Sequence, residues 1–239
     1  MSAGAGAGSF ASLRRLVPQR EAGETCDLCA APIAPEHRHL VEPAERRLVC
    51  ACQPCSILFS SKADTRYRLV PDRVQVLDDL AMTDEQWEAL SIPVNIAFFF
   101  HSTESERVCA FYPSPAGATE SLLQLDAWME VEALNPAIRD MEPEVEALLI
   151  NRVGGKRQYL VAPIDECYAL VGIVRAGWTG LSGGKEVWQA IDAHFDRLKG
   201  RARPKARRPT TDFSAAGRAA AAPAAAAAAA AIEAEAGGA

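Results

Sequence analysis

The stretch Cys26-Asp27-Leu28-Cys29 is followed, about twenty residues later, by Cys52-Gln53-Pro54-Cys55. A C-x-x-C turn directs two sulfurs at one centre, and two such turns complete a tetrahedron around zinc or a single iron ion. Five of the seven cysteines fall in this window. The pattern predicts a metal site whose ligands are Cys26, Cys29, Cys52 and Cys55.

Two short apolar runs lie between the motifs, at residues 39–42 and 46–50, and a Pro-Ala-Glu turn joins them. They predict a hairpin, so that the module has a zinc-ribbon plan of turn, hairpin and turn. Cys50 is two residues before Cys52 on the same strand face, and it is an alternative ligand or a spare thiol. His37 and His39 are possible substitutes, but a surface or hairpin position is the favoured interpretation of each.

Four readings of the module remain open on the residues alone. A structural zinc site is favoured, because four thiolates leave no open position and hold together a module that lacks its own core. A rubredoxin-like iron site is the main alternative, but Ala30 and Ser56 stand where a glycine commonly follows each rubredoxin turn. An iron–sulfur cluster and a metal-free thiol cluster are the others.

Length, composition and charge limit what the rest of the chain can be. The chain has 239 residues, of which 49% are hydrophobic, and a net charge of −6, which argues against general nucleic-acid binding. No signal peptide or membrane span stands out, so we expect a cytoplasmic protein, in which clustered thiols bind metal more often than they form disulfides. The predicted segments are a flexible leader (1–22), a Cys-rich ribbon (23–58), an α+β domain (59–199) and a disordered basic, Ala-rich tail (200–239).

The domain is predicted to be an antiparallel sheet covered by helices. Thr83 begins a short helix with a capping box, and Gly154-Gly155-Lys156 closes a hairpin. Further strands are expected at residues 67–70, 74–76, 92–100 and 107–112, and further helices after Pro163 and at 185–198.

Two more segments receive specific predictions. The loop at residues 113–121 contains two prolines and a glycine, and Thr119 or Ser121 is expected to cap a helix with the apolar face Leu122, Leu123, Leu125, Trp128 and Met129. The loop is a candidate contact for a partner. Residues 142–147 are expected to form a short acidic helix.

The chain carries no recognisable catalytic constellation, and we expect a non-catalytic protein. The run Gly180-Leu181-Ser182-Gly183-Gly184-Lys185 departs from a phosphate-binding loop, which needs glycine in place of Thr179 and Ser or Thr in place of Glu186. Cys109 and Cys167 lie in apolar patterns and are predicted to be buried, inert thiols. His194 is predicted to be a solvated or packing residue.

Several motifs together resemble an uncharacterised actinobacterial family whose members lie beside genes for nickel–iron hydrogenases. They are the two cysteine motifs with Cys50-Ala51, Pro35-Glu36-His37-Arg38-His39-Leu40, Tyr67-Arg68-Leu69-Val70-Pro71-Asp72, the 111–121 segment and Gly180-Leu181-Ser182-Gly183-Gly184. The resemblance covers about residues 24–199. It implies a non-catalytic accessory protein whose partner is a hydrogenase subunit or maturation factor, or alternatively a rubredoxin-like iron electron carrier that serves a hydrogenase.

Overall fold

The computed structural model describes residues 23–60, 66–121 and 126–202. The predicted flexible leader and residues 203–239 of the predicted tail lie outside these ranges. The predicted start of the tail at residue 200 was wrong, because Gly200 and Arg201 belong to the last helix. The strands are β1 (Arg38–Glu42), β2 (Arg47–Ala51), β3 (Arg68–Leu69), β4 (Gln75–Val76), β5 (Ile96–Ser102), β6 (Arg107–Ser114), β7 (Gly117–Glu120), β8 (Glu146–Asn151) and β9 (Gln158–Pro163). The helices are α1 (Gln53–Leu58), α2 (Asp84–Ala89), α3 (Asp126–Leu134), α4 (Pro136–Arg139), α5 (Ile164–Gly177) and α6 (Gly184–Arg201).

Six antiparallel strands form the main sheet in the order β4-β9-β8-β5-β6-β7. The apolar run that predicted a central strand is β5, which pairs with β6 on one side and β8 on the other. The hairpin of β8 and β9 closes over Gly154, as predicted. The α+β class with antiparallel strands is therefore confirmed.

Helices cover both faces of this sheet, which explains why β5 is apolar almost throughout. Successive side chains of a strand point to opposite faces, and Phe98 joins one core while Phe99 joins the other. The first core is completed by α5 and α6, through residues such as Leu170 and Phe195. The second is completed from α2 and α3, where Trp128 stacks on Phe99 with ring centroids 4.7 Å apart. Each fully buried side chain of this size contributes about 1.5–3 kcal/mol of stabilisation.

The cysteine motifs flank a second, three-stranded antiparallel sheet in the order β2-β1-β3. The predicted hairpin is confirmed, and its strands are joined by a 3-10 turn at Pro43–Glu45. The third strand comes from beyond the hairpin, because β3 pairs with β1. The predicted strands near residues 67–70 and 74–76 both exist, but they enter different sheets: β3 joins the cysteine module, and β4 joins the main sheet.

Most of the 113–121 segment is a pair of strands and not the predicted loop. Gly117–Glu120 forms strand β7, which pairs with β6 through a two-residue turn at Pro115 and Ala116. Gly117 has φ +126°, a backbone conformation that favours glycine, and the Thr119 hydroxyl donates to Ser114 Oγ over 3.0 Å. Thr119 therefore lies in a strand and does not cap a helix, whereas the residues that Ser121 would cap, 122–125, lie outside the described ranges.

The helix after this hairpin is described from Asp126, and Leu122, Leu123 and Leu125 lie outside the described residues. Trp128 is buried, but Met129 is 71% exposed, so its assignment to the apolar face was wrong.

The predicted acidic helix at 142–147 was also wrong, because β8 begins at Glu146. The carboxylate of Glu146 is fully buried and is bound by Arg73, which is far away in the sequence. Val145 and Ala147 are buried as well. Over the described part of the chain, the helices are all too short or too polar to traverse a lipid bilayer.

Candidate metal centre

The first cysteine turn is held by backbone hydrogen bonds at both ends. The Ala30 amide donates to Cys26 O over 2.8 Å, and the Cys26 amide donates to Ala31 O over 2.8 Å. Ala30 has φ +60°, a left-handed conformation in the position that the missing glycine would take. The carboxylate of Asp27 accepts from the Cys50 amide over 2.7 Å, which fastens the turn to β2.

The second pair lies at the start of α1. Cys52 is the residue before the helix, with extended backbone angles, and Cys55 lies in the first turn. Pro54 suits this position because a proline near a helix start leaves no required donor unpaired. The first motif therefore uses a tight turn and the second uses a helix start to aim their sulfurs.

The four sulfurs lie within 4.8 Å of one another. Cys29 Sγ and Cys52 Sγ, which come from different motifs, are 3.7 Å apart. Adjacent sulfurs of a tetrahedral zinc site are about 3.8 Å apart, because each Zn–S bond is about 2.3 Å long. The donor set of Cys26, Cys29, Cys52 and Cys55 therefore fits a single tetrahedral metal ion, either zinc or iron.

The thiols sit in unlike electrostatic environments. Burial alone would raise the pKa of Cys26, but backbone amides of Cys52, Leu28 and Cys29 bind its sulfur and lower that pKa to about 6. A hydrogen bond with Cys52, together with burial, raises the pKa of Cys55 to about 12. The cluster thus has amide donors in place for a thiolate at Cys26. A bound cation would favour the thiolate form at all four.

Cys50 and the two histidines lie in a second group. One ring nitrogen each of His37 and His39, and the sulfur of Cys50, lie within 4.8 Å of one another. The two imidazole centroids are 4.6 Å apart. Burial, with the charge of Asp27 next in size, raises the pKa of the Cys50 thiol. The three residues predicted as alternative metal ligands, Cys50, His37 and His39, therefore lie close together.

A cleft of about 810 Å³ lies beside this second group, and both imidazoles line it. The start of α5 and the end of α6 also line it, through residues that include Asp165, Glu166 and Arg201. His39 Nδ1 is 2.9 Å from Asp165 Oδ2. Asp165 and Glu166 were not predicted as site residues, because 126 residues separate Asp165 from His39 and no local pattern marks the pairing.

Glu166 organises the charged end of the cleft. Arg197 Nη2 donates to Glu166 Oε2 over 2.6 Å, and Arg201 binds the same carboxylate while its Nη2 reaches Asp72 Oδ1 over 2.6 Å. Burial alone would raise the pKa of Glu166, but the two arginines hold it below its usual range. The wall is therefore an ordered ionic network that includes both signs of charge.

The remaining residues for which the sequence made a specific prediction lie in the core or in the turn before α6. Cys109 and Cys167 are fully buried, as predicted, and burial raises the pKa of the Cys167 thiol well above its usual range. His194 is a packing residue: its Nε2 lies 3.1 Å from Glu166 O, and burial lowers its pKa. The glycines at 183 and 184 have positive φ and lead into α6.

Comparison with known proteins gives one match. No curated protein and no solved structure matches the chain. Residues 25–202 match the sequence profile of a family described only as a family of unknown function, DUF5947. The matched range contains both groups of candidate metal ligands, the cleft and the whole main sheet. The chain is accordingly a member of the DUF5947 family of unknown function.

Proposed function

We propose that Cys26, Cys29, Cys52 and Cys55 bind one zinc ion in a structural site, and that the chain is a non-catalytic accessory protein that works by binding another protein. The observation that carries the proposal is the convergence of four sulfurs within 4.8 Å. Four thiolates fill the coordination sphere of zinc and leave no position for a substrate or a reactive water.

The module's small core explains why it would need the metal. Its buried residues are Cys26, Leu40, Val49, Ala51, Cys55 and Tyr67. Two of these are the candidate ligands themselves, so the remaining apolar side chains are few. A core of this size contributes little stabilisation, and metal binding supplies folding free energy in modules of this kind.

The surface beside the metal site supports a partner-binding role. Ile57 and Leu58 lie two and three residues after Cys55 on α1, and they are 65% and 69% exposed. These two adjacent aliphatic side chains lie on a helix that a metal bound at Cys52 and Cys55 would hold in place. They are suited to dock into an apolar groove of a partner protein. The proposed partner is a hydrogenase subunit or maturation factor; this assignment rests on the family resemblance.

The alternative is an iron site that carries electrons to a hydrogenase. One observation favours it: Cys29, although a candidate ligand, is exposed to solvent. An exposed ligand sulfur would bring the iron close to the surface, where an electron can pass to a docked partner. Four thiolates suit iron as well as zinc.

Elemental analysis and a visible spectrum of protein purified anaerobically from its native host test the metal. Loss of one equivalent of colourless zinc in Cys26→Ser and Cys52→Ser, with no loss in the control Cys109→Ser, supports the structural site. Iron with thiolate charge-transfer bands would replace it with the electron carrier. Full metal content after all four cysteines are changed to serine would refute both assignments.

Affinity purification from the native host tests the partner. The double variant Ile57→Asp/Leu58→Asp should lose the partner that the wild type retains, while Leu181→Asp, at a fully exposed leucine on another part of the surface, should keep it. Recovery of a hydrogenase protein with wild type and control, but not with the double variant, supports the proposal. Retention by the double variant would exclude this surface as the docking site.

A further inference from the structure

His37 has a buried ring nitrogen for which the described residues provide no hydrogen-bond partner. Its side chain is only 8% exposed, and Nε2 is the unpaired atom within the described part of the chain. On the other side of the ring, Nδ1 lies 2.9 Å from Ala34 O and 3.4 Å from Glu24 Oε2. Both of these oxygens accept, so the proton belongs on Nδ1, and Nε2 carries a lone pair. A buried polar atom left in this state calls for a missing ion or water.

His39 is oriented in a similar way. Its Nδ1 lies 2.9 Å from Asp165 Oδ2, an arrangement in which the carboxylate accepts the ring proton and leaves Nε2 as the available nitrogen. Metal-binding histidines commonly donate their second ring N–H to a carboxylate or a backbone carbonyl, which fixes the tautomer and the ring plane. His39 has the first kind of support and His37 has the second.

Cys50 completes the group. Its position on β2 is fixed by pairing with His39 on β1 and by the bond from its amide to Asp27. One nitrogen of each imidazole and the Cys50 sulfur lie within 4.8 Å of one another. Imidazole and thiolate ligands together suit zinc, cobalt, nickel and copper rather than magnesium or calcium.

We propose that His37, His39 and Cys50 form a second metal site, which binds a divalent first-row transition-metal ion and leaves one coordination position open toward the cleft. Three protein ligands occupy three positions of a tetrahedron, and both imidazoles line the cleft. This site differs from the four-cysteine site in having room for an exchangeable water or a small ligand. It stands whether or not the four cysteines bind zinc.

Metal counting on the full-length protein tests the proposal. Metal-free protein is titrated with Zn²⁺, passed through a desalting column and measured for bound zinc. The wild type should bind one equivalent more than His37→Ala and Cys50→Ser, while the matched control His101→Ala, a partly buried histidine paired with Glu132, should bind as much as the wild type. His37→Ala and Cys50→Ser should keep the equivalent that the four cysteines bind, so that the two sites fail or succeed separately.

A second measurement does not depend on how well the variants fold. In the Co²⁺-loaded wild type, proton NMR should show two hyperfine-shifted signals that disappear in D₂O, from the Nδ1 protons of His37 and His39. A Co²⁺ ion at four cysteines gives no such signals. Their absence, or a wild type and His37→Ala that bind equal zinc, would overturn the proposal.

Asp165 is a positioning residue in this scheme, because it would act through His39. Asp165→Asn should weaken binding of the second equivalent by roughly 10–100-fold. Binding at the four-cysteine site should not change. An unchanged affinity for both equivalents would contradict the role given to Asp165.

Discussion

Replacing Arg73 with methionine is expected to destabilise the protein strongly, because it leaves a buried carboxylate without its cation. Glu146 is fully buried; Arg73 Nη2 donates to its Oε2 over 2.6 Å and Nε donates to Oε1. Among the described hydrogen bonds, the variant keeps only the one from the Glu142 amide, over 2.8 Å. Breaking a buried ion pair on one side costs about 3–5 kcal/mol.

For Arg73→Met we expect a loss in the free energy of unfolding at the lower end of that range. The Arg73 side chain is 61% exposed, so water screens the pair and can reach the carboxylate once the guanidinium is gone. A loss of about 3 kcal/mol corresponds to a fall in Tm of roughly 6–12 °C for a domain of this size. Arg73 lies between β3 and β4, so the pair also fixes the segment that joins the two sheets.

Urea unfolding followed by circular dichroism measures the change. Arg157→Met is the matched control, because Arg157 is a partly exposed arginine that binds the exposed Asp84, and its loss should cost less than about 1 kcal/mol. Adding Glu146→Gln to Arg73→Met should recover part of the loss, since no charge is then buried. An Arg73→Met variant as stable as the control, or a double variant no better than the single one, would refute the reasoning.

Three further outcomes are expected. Ala30→Gly should raise the stability of the metal-loaded protein by about 0.5–1 kcal/mol, because glycine relieves the left-handed backbone at φ +60°; a lower Tm would contradict this. Glu166→Gln should be less stable than the wild type at pH 7, and the gap should narrow as pH falls below the ordinary carboxyl pKa of 4.5, because the folded-state pKa is lowered and the contribution is lost on protonation. A gap that stays constant from pH 7 to pH 3 would contradict the pairing with the arginines. Leu149→Ala, at a fully buried site, should cost about 2–5 kcal/mol, against less than about 0.5 kcal/mol for the exposed Met129→Ala; denaturant unfolding checks both.

Elements with a complete local signal could be predicted from the sequence. The helix that begins after Thr83 has both halves of its capping box, with the Gln86 amide donating to Thr83 Oγ1 over 3.1 Å. The apolar run of β5 and the glycines between β8 and β9 likewise act within a few residues. The cysteine spacing indicated which sulfurs the fold brings together, because each C-x-x-C pair is set by its own turn.

The errors arose where a distant partner decides the structure. Glu146 looked like a helix-forming acid, and only the long-range contact with Arg73 allows it to lie in a buried strand. Pro113 and Pro115 looked like a rigid loop, but Pro113 is tolerated in β6 and the turn is tightened by Gly117. His39 lies in the hairpin, as predicted, but its contact with Asp165 in α5 could not be predicted, because no short pattern associates the two residues.

Strand β3 has a practical consequence for anyone who isolates the metal-binding part. A peptide that stops soon after the last cysteine motif would lose β3, which pairs with one edge of β1. It would also lose Tyr67, whose ring belongs to the small core around Cys26 and Cys55. The free edge of β1 would then be available to pair with other copies. Val41 would also lose its contacts with the main core and become exposed to solvent. Spectroscopy on such a fragment would report on an aggregation-prone ribbon, and residues 23–202 are the shorter chain on which metal binding is best measured.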